Sequence, residues 1–109
     1  MEKLSKIDVS VLKDIYGQML TDRQSEVLQM YCDCDCSLAE IAEQTGISRQ
    51  GVRDAIVNGE KTLVNLENKL HLLTEKRKLV NNLTVLKDLV RQGSCEKALQ
   101  FIEQMISGE

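Results

Sequence analysis

Apolar residues along this chain recur at intervals of three and four, and no stretch alternates as a strand would. The spacing predicts helices throughout. Between Asp8 and Leu20, the residues Val11, Leu12, Ile15, Tyr16 and Met19 share one side of a short amphipathic helix. Thr21 as N-cap and Asp22 in the first turn start a second helix, with Val27, Leu28, Tyr31 and Cys32 on its apolar side. The stretch from Ser37 to Ile56, SLAEIAEQTGISRQGVRDAI, then carries two apolar faces separated by a turn. Leu38, Ile41 and Ala42 form the first face, and Val52, Ala55 and Ile56 the second. Ala42 is small where two backbones must approach, Gly46 is free to take positive φ, and Ser48 can cap the second helix. Each position meets its own steric demand, and the whole reads as a helix-turn-helix that the two preceding helices must cover.

The remainder is leucine-rich. Leu63, Leu66, Leu70 and Leu73 follow a three-four-three spacing that Val80 continues one heptad later, a coiled-coil-like seam with Arg77 at the next expected apolar place. That pattern suits a bundle helix or an interchain zipper, and Gly59 weakens the join to the preceding helix without forbidding a continuous one. Thr74 and Glu75 are read as restarting a helix, with Leu79, Leu83, Leu86 and Val90 in a shifted register until Gly93 stops it. Ser94 is read as capping a last helix striped by Cys95, Ala98, Leu99, Ile102, Met105 and Ile106. The expected fold is therefore all-α, a helix-turn-helix part over 8–60 followed by a C-terminal helical part over 61–109, in one domain of 1–109.

Composition narrows the chemistry. Proline is absent and Tyr16, Tyr31 and Phe101 are the whole aromatic set, so the core is aliphatic. No run approaches the about 20 apolar residues of a membrane span, and the opening MEKLSKIDVS is too polar for a secretory segment, so a cytoplasmic protein is expected. Cys32, Cys34 and Cys36 alternate with Asp33 and Asp35; the spacing is too tight for the usual first pair of a zinc site, and the aspartates raise rather than lower a thiol's pKa. They are read as a helix end and loop with one or two cysteines acting as small apolar groups. His71 is read as a helix-flank residue. No glycine-rich phosphate loop, nucleophile motif or paired-carboxylate constellation is present, so no catalytic residue, metal or cofactor is expected.

What remains is recognition. With Val52 and Ile56 inward, Gln50, Asp54, Val57 and Lys61 point outward, Arg53 lies beside them and Arg49 sits at the N-terminal flank. Gln50 suits adenine, either arginine suits guanine, and Ser48 with its neighbouring amides suits a phosphate. Asp54 is discordant, and an intrahelical pair with a neighbouring arginine is its plainer account. The net charge is −3, yet residues 69–91 carry six Lys or Arg against two Asp or Glu, centred on Lys76, Arg77 and Lys78. The motif has the shape of a nucleic-acid reader without the charge of one, so appreciable affinity needs the basic cluster or a second subunit.

The run LTDRQSEVLQMY, a short acidic loop and SLAEIAEQTGISRQGV resemble region four of bacterial sigma factors, and more closely the YlxM family of small bacterial helix-turn-helix proteins. The resemblance takes in YGQML before the motif and ENKLHLL and EKRK after it, and Ser48, Arg49 and Gln50 are the residues that match closely enough to carry over. It implies an all-helical regulatory or accessory factor of the signal recognition particle pathway, with DNA, the particle's RNA or its proteins as candidate partners. Gly51-Val52-Arg53 and Val57-Asn58 depart from the family's usual Ala-Val-Tyr and basic pair. A dimeric DNA-binding transcription regulator and a protein-interaction module without nucleic-acid binding are the alternative readings, and self-association through the leucine-rich helices is expected.

Overall fold

Each of the first four helices begins where a Ser or Thr side chain takes up an N–H of its own first turn. Ser5 accepts from Asp8 N at 3.1 Å, Thr21 from Gln24 N at 3.1 Å, Ser37 from Glu40 N at 3.1 Å and Ser48 from Gly51 N at 3.0 Å. Thr21 and Ser37 are reciprocated by Gln24 and Glu40, whose side chains accept from the cap N–H groups in full capping boxes. The computed structural model describes residues 4–108 and divides after Leu73 into two compact units. The first three residues of the polar opening and Glu109 lie outside the described residues.

The first unit holds α1 (Lys6–Tyr16), α2 (Asp22–Leu28), α3 (Leu38–Thr45) and α4 (Arg49–Leu70). A 3₁₀ turn, Gly17–Met19, follows α1, and a single π turn, Gln29–Asp33, follows α2. The long α5 (Leu72–Arg91) begins here and continues into the second unit, where α6 (Cys95–Ser107) follows it. Among the described residues there is no strand, and no helix is long and apolar enough to cross a membrane.

The core is one cluster in which Val9, Leu12, Tyr16 and Leu20 meet Val27, Leu28, Ile41, Val52, Ile56 and Leu63. The buried side of α1 thus runs through Val9, Leu12 and Tyr16; Met19, expected inside, is 61% exposed because the 3₁₀ turn shifts the register and turns Leu20 inward instead. Gly46 closes α3 in the left-handed conformation (φ 76°), with its N–H on the Ala42 carbonyl at 2.9 Å. The second helix of the motif does not stop at Gly59 but runs on for 22 residues. At Gly59 it passes so close to α2 that an added Cβ would lie 2.8 Å from Leu28 Cδ1, a buried atom.

The leucine seam is not continuous. His71 takes a left-handed backbone (φ 56°) and ends α4, and α5 begins at Leu72 rather than at Thr74. Leu63 is buried and Leu66 and Leu73 pack on the core, while Leu70 and Val80 are exposed. A seam needs one helix, and the break at His71 ends that helix. The break is held by a partly buried polar network that centres on Tyr16 and Glu67. Tyr16 Oη donates to Glu67 Oε1 at 2.6 Å and accepts from Leu72 N at 3.1 Å, and Leu73 N donates to the same Glu67 oxygen at 2.9 Å. Leu72 and Leu73 are first-turn N–H groups without intrahelical acceptors, and this pair supplies them. Burial, and then the Glu67 carboxylate, push the Tyr16 phenol above its usual range.

The cysteine-aspartate tract is structural in its contacts. Cys32 and Cys36 pack partly buried against the core, and burial raises both thiols first and foremost. Asp33 accepts from Lys13 Nζ and from Ser10 Oγ at 3.0 Å, and Asp35 accepts from Lys6 Nζ at 2.8 Å, so the loop is fastened to α1. Lys6 also lies 4.3 Å from the Tyr31 ring centroid. Among the described residues no three His, Cys, Asp or Glu are grouped to hold a metal ion.

In the second unit Gly93 (φ 75°) ends α5, and Ser94 N–H returns to the Leu89 carbonyl at 3.0 Å. Ser94 stands at the N-cap position of α6, but its side chain makes no capping bond, contrary to expectation. Its backbone is committed to closing α5, and ψ 64° is not the extended value that the four true caps share. Glu75, Leu79 and Asn82 of α5 share a groove with Phe101, Gln104 and Met105 of α6, so the two helices run antiparallel.

Three outcomes are expected. Gly59→Ala gains about 1 kcal/mol of helix propensity but forces Leu28 out of place at about 1–3 kcal/mol, so chemical denaturation should show a net loss of about 1 kcal/mol. Tyr16→Phe leaves Glu67 short of a donor and Leu72 N short of an acceptor, and should cost about 2 kcal/mol by the same measurement. Asp33 and Asp35 are held below their ordinary values, first by their hydrogen bonds to Lys13 and Lys6, so their contribution is present above about pH 4 and is lost as pH falls through the lowered folded values. Melting curves at pH 7 and pH 3 should therefore differ less in Lys13→Ala than in the unaltered protein.

Candidate nucleic-acid interface

The helix-turn-helix presents the N-terminal turns of α4. Val52 and Ile56 are buried in the core, and this anchors the helix so that the opposite side, Gln50, Arg53, Asp54, Val57 and Lys61, stands in solvent. Ser48 and Arg49 are exposed at its tip, and the Ser48 hydroxyl is the cap acceptor for Gly51 N. Four of the seven expected contact residues, Ser48, Arg49, Gln50 and Arg53, therefore share one exposed helix end. Lys76, Arg77 and Lys78 are also exposed, but they belong to the second compact unit, and Lys78 sits 3.6 Å from Glu75.

Asp54 does not pair with an arginine. Gln50 Nε2 donates to Asp54 Oδ1 at 2.9 Å, the i,i+4 geometry that neither Arg53, adjacent in sequence, nor Arg49, five residues back, can reach as readily. Among the described residues Arg49 and Arg53 make no hydrogen bond or ion pair, so both guanidinium groups are available. They are themselves i,i+4 neighbours and form a basic row beside the Gln50–Asp54 row. The bond to Asp54 also turns the Gln50 amide, leaving its oxygen and second N–H for an outside partner.

The start of α4 also differs in charge from the starts of the other α-helices. α1, α2, α3, α5 and α6 each carry Asp or Glu in the first turn, whereas α4 has none. The positive end of the α4 dipole thus meets no acidic side chain of its own first turn, and Ser48 takes up only the Gly51 N–H. Arg23, which the sequence pattern does not single out, donates from Nη1 to the Thr45 carbonyl at 3.5 Å, joining α2 to the end of α3 beside the turn. What this end can do is accept an anion or a base edge.

Comparison with known proteins agrees with this architecture. Residues 2–105 match the UPF0122 family model, described as helix-turn-helix proteins like YlxM and p13. A UPF0122 protein of Clostridium kluyveri is 39% identical over 100 residues, covering 92% of this chain and 90% of that protein. One from Acetivibrio thermocellus is 46% identical over 83 residues, covering 75% and 71%. Another, from Clostridium botulinum, is 41% identical over 80 residues, covering 71% and 73%. With the family match spanning nearly every residue and both helices of the motif in place, this chain belongs to the UPF0122 family of YlxM- and p13-like helix-turn-helix proteins.

Proposed function

We propose that this protein is a non-enzymatic nucleic-acid-binding factor that uses Ser48, Arg49, Gln50 and Arg53 on α4, with Lys76, Arg77 and Lys78 as added phosphate contacts. The observation that carries this reading is the end of α4: two unpaired arginines on an α-helix whose first turn, unlike that of the other five α-helices among the described residues, lacks an acidic residue, at the tip that a helix-turn-helix inserts into a groove. The arginines and the helix terminus attract phosphate and base acceptors, while Gln50, oriented by Asp54, offers a donor and an acceptor together. The resemblance to YlxM proteins supports a role as an accessory or regulatory factor of the signal recognition particle pathway, which makes a structured RNA the first ligand to test and duplex DNA the second. One observation favours a protein partner instead. Asp54 stands in the middle of the exposed face of a chain whose net charge is −3, and it repels phosphate.

Titration of the particle's RNA and of mixed-sequence duplex DNA, each at two salt concentrations, tests the reading. Binding should weaken steeply with salt, and removing both Arg49 and Arg53 should lower the log–log slope by about one per lost phosphate contact. Asp54→Asn, which removes the repelling charge, should tighten binding by roughly threefold to tenfold at low salt. Absence of binding to both nucleic acids at low salt, in the unaltered protein and in Asp54→Asn alike, overturns the proposal in favour of a protein partner.

A further inference from the structure

The second unit leaves most of its apolar side chains in water. Of residues 74–108 only Ala98 is buried; Val80 and Val85, 51% and 47% exposed, point to other sides of α5, while Leu79, Leu83 and Val90 on α5 and Leu99 and Ile106 on α6 are half or more exposed, 50% for Leu83 and 80% for Ile106. Helical geometry gathers these five. At about 100° per residue, Leu79, Leu83 and Val90 lie in one stripe about a quarter turn from the side of α5 that faces α6. Leu99 and Ile106 lie in a stripe about a quarter turn or slightly more, in the same rotational sense, from the side of α6 that carries Ala98 and faces α5. Because the two helices are antiparallel, equal rotations about oppositely directed axes bring both stripes to the same side of the hairpin. The result is one continuous apolar face.

That face has the size and the rim of an interface. A half-exposed Leu or Val leaves on the order of 80 Å² in water, so the five side chains leave roughly 400 Å², close to the apolar share of a stable interface of about 800 Å² per partner. A helical pair with one buried alanine has too little core of its own; units of fewer than about 40 residues are usually completed by oligomerisation, a disulfide or a metal. The rim is of opposite sign on its two edges. Lys76 and Lys87 flank the stripe on the outer edge of α5, and Glu96 and Glu103 flank the stripe on the outer edge of α6.

We propose that this face binds a second copy of the same chain, the two hairpins being related by a two-fold axis parallel to the helices so that each α5 lies against the partner subunit's α6. This arrangement sets the lysine edge of each copy over the glutamate edge of the other. It also makes every neighbouring pair of helices antiparallel, as in an up-down-up-down four-helix bundle with favourably opposed dipoles. A two-fold axis across the helices would instead stack α5 on α5 and bring Lys76 and Lys87 against their own copies. The inference does not depend on what α4 reads.

Sedimentation equilibrium on the full chain, over roughly 1–100 µM, tests it. The unaltered protein should have twice the 12.3 kDa chain mass. Leu83→Glu with Leu99→Glu should raise the dimer Kd at least about a hundredfold. Lys87→Glu alone should raise it about tenfold, and adding Glu96→Lys should return it to within a few-fold of the starting value. A chain that is monomeric throughout this range, or a dimer indifferent to the leucine changes, overturns the proposal. Loss of dimer in Lys87→Glu that Glu96→Lys fails to restore overturns the stated two-fold arrangement. The charge pair lies on the exposed rim, so its outcome is readable even if the leucine variant loses helix, which circular dichroism reports.

Discussion

Leu28 occupies the space that a side chain at residue 59 would fill, and the first unit depends on that contact. α4 has to be both the second helix of the motif and the spine of the core, with Val52, Ile56 and Leu63 buried along one side. A helix in that position must lie close to α2 at its middle, and only a residue without Cβ permits the approach. The cost in helix propensity is set against the burial of Leu28 and Val27, fully enclosed side chains that stabilise by about 2 kcal/mol each. One glycine thereby decides where α2 sits, and α2 in turn holds the end of α3 through Arg23.

The same helix is also tied at its far end. Tyr16 and Glu67 together supply the hydrogen bonds that the first N–H groups of α5 lack, and they do so at the partly buried edge of the core, where an unpaired group is costly. The acidic loop after α2 serves a similar purpose at the surface: its carboxylates fasten it to Lys6 and Lys13 of α1. With α4 fixed along its length, its first turns can stand in solvent without fraying, capped by Ser48. A rigid element is what positions Arg49, Gln50 and Arg53 at a common surface. The two units then divide the chemistry, the first offering a shaped reading end and the second offering basic charge and an open apolar face.

Much of this was legible from residue order alone, because helix periodicity and cap chemistry are local. The motif from Ser37 to Ile56, the left-handed turn at Gly46, the caps at Thr21 and Ser48 and the stop at Gly93 all follow from interactions within four residues or so. The outward set on α4 was equally readable, since burying Val52 and Ile56 leaves the other side no choice.

The structure departs from the periodicity in two ways, through local geometry that the pattern does not encode and through residues distant in the chain. Met19 and Leu20 exchanged places because a 3₁₀ turn altered the period. The leucine seam was cut at His71 because the start of the next helix finds its acceptors in Tyr16 and Glu67, far away in sequence or in the preceding turn. Gly59 looked like a weakness until Leu28 was placed beside it. Asp54 found Gln50 rather than an arginine because side-chain pairing follows helical offset rather than charge alone. The sequence by itself determined that the chain is helical, where the motif's helices are capped and the side of α4 that meets solvent, since those are set by local sterics and periodicity. Only the tertiary structure decided which helices touch, where the leucine-rich stretch breaks and why a glycine stands in the middle of the longest helix, because contacts between residues far apart in the chain have no local signature.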